Sequence, residues 1–124
     1  MNNSIVITLW GRELKMDVIF QNFPGEDIIE NQRNTLELIP KVDFSVALDE
    51  LKKYIITHNS DEMAGLAIDN VFRFVMPRRL LITRDHEKRV FAVMCNYRFD
   101  MEHGLAIVFE NEQYKEIGPQ DIVL

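Results

Sequence analysis

RVFAVMCNYRFDMEHGLAIVFENEQYKEIG, residues 89–118, decides the fold. Three β-prone runs, 89–99, 104–110 and 113–118, are separated by two short polar breaks. In the first run Phe91, Val93, Cys95, Tyr97 and Phe99 fall on one side; in the second Leu105, Ile107 and Phe109 do the same. A period of two is the mark of strands, and breaks this short join antiparallel neighbours. The stretch predicts an antiparallel meander whose two apolar rows form the sheet side of a core.

Working upstream, RRLLITR (78–84) adds a fourth strand ahead of a DHEK turn. AIDNVFRFVMP (67–77) mixes its signals. Ile68, Val71, Phe72 and Val75 have helical spacing, while Val71, Phe72, Phe74 and Val75 are also β-prone. The expectation is a short helix capped by Asp69, with Pro77 ending the element. NSDEMAG (59–65) reads as a polar loop. DFSVALDELKKYIITHN (43–59) carries the clearest helical stripe, through Ala47, Leu48, Leu51, Tyr54 and Ile55, with Asp43 or Ser45 as its cap.

At the other end, SIVITL (4–9) and ELKMDVIFQ (13–21) predict a hairpin closed at Gly11, with Leu14, Met16, Val18 and Phe20 turned inward. Pro24 and Gly25 mark a turn, a short helix follows over 30–38, and Pro40 closes it. GPQDIVL forms a closing turn and tail. The order is ββ, two or three helices, then ββββ. That is an α+β pattern, one domain over 1–124 with a mostly antiparallel sheet and helices packed on one face.

With 124 residues, 47% of them hydrophobic, the chain can bury a core without disulfides or structural metal. Cys95 is the lone cysteine, which suits a reducing compartment. The N-terminus lacks the pattern of a leader peptide, and no apolar run approaches the ~20 residues of a membrane span. A cytoplasmic protein is expected.

The net charge of −6 disfavours general nucleic-acid binding. It is unevenly spread. Residues 73–89 hold six cations (Arg73, Arg78, Arg79, Arg84, Lys88, Arg89) against Asp85 and Glu87. Residues 100–124 hold six anions (Asp100, Glu102, Glu110, Glu112, Glu116, Asp121) against Lys115. The expectation is that the two blocks face each other across the sheet.

Candidate chemistry centres on FDMEHG (99–104). Asp100, Glu102 and His103 are residue types that bind divalent metals or move protons. They equally suit a hairpin tip, with Gly104 restarting the strand, and the turn is preferred. His58 and His86 lie on other elements. Cys95 shares the Phe91, Val93 and Tyr97 face and reads as a core residue, not a thiol nucleophile. Trp10 is read as a lid on the core, with a partner anchor as the alternative. No phosphate loop, CxxC pair, nucleophile elbow or HExxH motif is present, so no catalytic residue, metal or cofactor is assigned.

Pro24-Gly25-Glu26, Gln32, Lys53-Tyr54-Ile55, His103-Gly104, Phe109-Glu110-Asn111, Ile117-Gly118 and Gln120-Asp121-Ile122 together resemble small bacterial α+β domains of unknown function, over most of the chain. That resemblance implies no activity; some small acidic bacterial domains of this kind serve as immunity partners of toxins.

The leading expectation is a non-enzymatic protein-binding domain, immunity-like or accessory, whose acids, among them Glu110 and Glu112, capture a basic protein partner. The alternatives are a metal-assisted hydrolase built on Asp100, Glu102 and His103, and a nucleic-acid-binding regulator using the 73–89 cations. An uncovered sheet edge could also pair with its copy in a homodimer.

Overall fold

A computed structural model describes residues 3–124. The hairpin forms as expected, from β1 (Asn3–Leu9) and β2 (Arg12–Phe20). Its two-residue turn holds Trp10 at φ 51° and Gly11 at φ 82°. Two positive φ values match the right-handed twist of the strands they join. The tryptophan is held there by its indole, whose Nε1 donates to the Phe44 carbonyl at 2.9 Å.

The middle of the chain is helical: α1 (Glu30–Leu38), α2 (Ser45–His58) and α3 (Ser60–Met63). The α1 bounds coincide with those read from the sequence, and a 3-10 turn at Ile39–Lys41 follows, carrying Pro40. The cap position of α2 is Phe44, not Asp43 or Ser45, and makes no side-chain cap; Asp43, one residue earlier, accepts from the Ser45 N–H at 2.9 Å. The expected loop at 59–65 contains α3 instead, because Met63 is buried and pulls the turn inward. The expected helix near 68–76 shrinks to one 3-10 turn, Val71–Arg73, capped by Asn70 and not Asp69.

Strand follows at once: β3 (Val75–Ile82), β4 (Val90–Tyr97), β5 (Leu105–Glu110) and β6 (Gln113–Gly118). Pro77 therefore does not end an element. It lies inside β3 at a register shift against β4, between Pro77 and Arg79. A bulge tolerates a residue without an N–H, and the β2 pairing begins only at Arg79.

The six strands lie in chain order. Every pairing is antiparallel except β2 with β3, which is parallel. That one parallel step needs a long crossover, and the helical segment between them provides it. The fold is α+β with a mostly antiparallel sheet. Ala47, Leu51 and Ile55 of α2 join Met16, Leu80, Phe91, Val93, Cys95, Ile107 and Phe109 in the main core. Phe91 and Phe109 stack with centroids 4.9 Å apart, and Phe44 meets Phe109 edge-on at 5.2 Å.

A second cluster lies on the other side of the same strands: Leu81, Ala92, Met94, Ala106 and Val108, with Val90 and Val123 against it. Val123 comes from a 3-10 turn, Gln120–Val123, in the segment read as a tail. Central β4 and β5 are thus buried on both faces.

Candidate functional site

The residues singled out at 99–104 form a turn satisfied by its own members. Asp100 Oδ1 accepts from the His103 N–H at 3.1 Å, and His103 Nδ1 lies 3.0 Å from Asp100 Oδ2. The hydrogen bond from the His103 backbone holds the Asp100 carboxyl below its ordinary value, while the Asp100 carboxylate raises His103. Both side chains face solvent. Glu102 does not join them, and among the described residues no three His, Cys, Asp or Glu are placed to hold a metal ion. Cys95 lies fully buried, where desolvation pushes its thiol up, away from any nucleophilic form.

The charged blocks meet only in part. Lys88 reaches Glu110 at 3.0 Å, and Arg89 holds Glu112 by two contacts, at 2.7 and 2.9 Å. Arg84 turns elsewhere, to Asn22 at 2.7 Å, the Asp27 carbonyl at 2.8 Å and Glu26 at 3.5 Å. Arg73, Arg78 and Arg79 make no ion pair among the described residues.

These three arginines line one open groove. Its upper hollow, about 380 Å³, is walled by Phe72, Phe74, Met76 and Met101 with Arg73, Arg78 and Arg98. A second hollow of about 560 Å³ adjoins it through shared Met76, Arg78 and Asn96, and adds Lys15, Arg79 and Asp17. Five cations thus line the two hollows, and Asp17, in the second, is the one carboxylate among the lining residues. The bulge explains the density. Alternation would send successive residues to opposite faces, but the extra residue at the Pro77–Arg79 shift leaves both Arg78 and Arg79 exposed on one side. The parallel register then sets Asp17 beside Arg79, and Arg79 beside Met94 on β4. Lys15, Asp17 and Arg79 lie on the face turned away from Leu80 and Val93, whereas Phe72 and Phe74 of the first hollow pack against the main core that holds those two residues.

The sequence reading found Arg73, Arg78 and Arg79 but grouped them with three cations that are already paired. It missed Lys15, Asn96 and Arg98, which carry no motif. The one available signal was Pro77 ahead of two arginines, a bulge-tolerant residue inside a β-prone run. Trp10 is not a free anchor: it packs half-buried against the core and tilts on Phe72 at 5.9 Å, while the Arg12 guanidinium lies 4.2 Å over the same Phe72 ring.

Among the described residues no helix is long and apolar enough to cross a membrane. No curated protein matches the chain, and neither does any solved structure. A family model described as a domain of unknown function, DUF6985, matches residues 1–124. The chain therefore belongs to the DUF6985 family.

Proposed function

We propose that this protein is a cytoplasmic, single-domain, non-catalytic binding module, accessory or immunity-like in role, that engages an acidic segment of a protein partner. In this reading the helices cover one face of the sheet, and the partner occupies the other face on its β2–β4 side. The observation that carries it is the groove: Lys15, Arg73, Arg78, Arg79 and Arg98 line its two adjoining hollows with Asp17 as the one acid, and none of the cations is in an ion pair among the described residues. Unpaired cations beside Phe72, Phe74 and Met101 suit carboxylates flanked by apolar side chains. A nucleic acid is the weaker fit, since the net charge of −6 repels a long polyanion.

Capture of a basic partner through Glu110 and Glu112 is disfavoured, because both already hold cations of the same chain. The hydrolase reading has less support, because Asp100 and His103 bond each other in the turn at 99–104 and Glu102 does not join them.

The test is affinity capture from cell extract at low and high salt, using the wild type and an Arg78→Glu, Arg79→Glu double variant. Both positions are exposed, so the fold should tolerate the change. The expected result is an acidic protein held at low salt, released at high salt and lost from the variant. Equal retention by both proteins would overturn the assignment. Retention of nucleic acid in place of protein would transfer the groove to the regulator reading.

A further inference from the structure

The two edges of the sheet are built differently. β6 carries Lys115 and Glu116, is out of register with β5 between Val108 and Phe109, runs into Pro119, and has α2 beside it. Charge, bulge and proline are the usual means of blunting an edge. β1 has none of them. Its seven residues, Asn3–Leu9, are uncharged, contain no proline, and keep unbroken register with β2.

The backbone groups on that edge can be assigned. The two-residue turn closes on the pair Leu9 and Arg12, so Leu9, Ile7 and Ile5 direct their N–H and C=O groups to β2. By alternation Ser4, Val6 and Thr8 direct theirs outward. All three side chains are exposed, and Val6, a large apolar residue, is 63% exposed.

We propose that β1 is a homodimerisation strand, pairing antiparallel with β1 of a second copy about a twofold axis through Val6. That register places Ser4 of each copy opposite Thr8 of the other, and the two Val6 side chains opposite each other. Hydroxyl pairs and β-branched pairs are favourable across strands. The same residues serve both sides, as a twofold interface requires. An uncharged strand meets its copy without repulsion, and the two sheets become one. A strand-to-strand contact is small, so the dimer forms reversibly and its population rises with concentration.

Sedimentation of the full chain, from low micromolar to hundreds of micromolar, tests this. The expected mass climbs from that of the 14.6 kDa chain to twice that value. Val6→Pro removes the central outward N–H, which an edge strand can spare in the monomer. Val6→Lys sets two ammonium groups opposite each other. Both variants should keep the wild-type circular dichroism and stay at monomer mass throughout. A wild type that never exceeds monomer mass overturns the proposal, as does a dimer that survives in a folded variant. Should Val6→Pro lose its cooperative thermal transition, Val6→Lys decides by the same criterion.

Discussion

Gly104 shows how a short motif becomes a structural joint. It sits at φ +59°, and a Cβ there would lie 2.6 Å from the Cys95 carbonyl oxygen and 2.6 Å from Gln120 Nε2. Gln120 itself donates to the Cys95 carbonyl at 3.0 Å. The HG and QDI pieces noticed in the sequence therefore meet over one backbone oxygen. Gly104→Ala combines positive φ with a clash against rigid backbone, and should cost about 1–3 kcal/mol in chemical denaturation. Gln32 is a similar joint: its Oε1 accepts from the Ile29 N–H at 3.1 Å and closes the start of α1, although it is buried. His103 tests the neighbouring turn. Asp100 favours its imidazolium, so the contact is present below the ordinary histidine pKa and is lost as pH rises through the raised value. At the acid end it is lost as pH falls through the lowered Asp100 value. Asp100→Asn should move the His103 midpoint down in an NMR titration; an unmoved midpoint would mean that the pair does not form in solution.

Among the elements, α2 was the easiest to read and α3 the hardest. The stripe of Ala47, Leu51 and Ile55 is legible because helical periodicity is local, and all three are fully buried. Leu51→Ala should lower stability by about 2–5 kcal/mol, as cavity-forming changes do. Val46→Ala, on the exposed side of the same helix, should stay within about 0.5 kcal/mol. Thermal or urea unfolding of the pair separates the two faces. By contrast α3 lasts one turn and owes its place to a single buried Met63, which no periodicity can reveal. The 67–77 segment fails for another reason. Its β-branched and aromatic residues fit either state, and the sheet decides: Val75 and Met76 pair with Tyr97 and Asn96. Tyr97 also donates its hydroxyl to Asn59, tying the end of β4 to the end of α2.

At the scale of the whole molecule, the groove and the bare edge are consequences of strand order. Lys15 meets the arginines of β3 only because β2 and β3 run parallel across the helical crossover. The groove and the edge are neighbours, since Val6 pairs with the groove's Lys15, yet the two changes act differently: reversing Arg78 and Arg79 should abolish capture of an acidic partner, and Val6→Pro, which adds no charge beside Lys15, should abolish self-association. The α+β class, the hairpin, α1, α2 and the C-terminal meander are all legible along the chain. Each rests on interactions between residues close in the chain, which leave a period or a turn signal. The sequence also placed Cys95 in the core and FDMEHG in a turn. Which cations are paired, that Pro77 sits at a bulge and does not end a strand, that the closing segment covers a second apolar cluster, and that β1 lies at the edge of the sheet emerge only in the folded chain. Those outcomes depend on register between distant strands, and register is set by packing and pairing energies summed over the whole sheet.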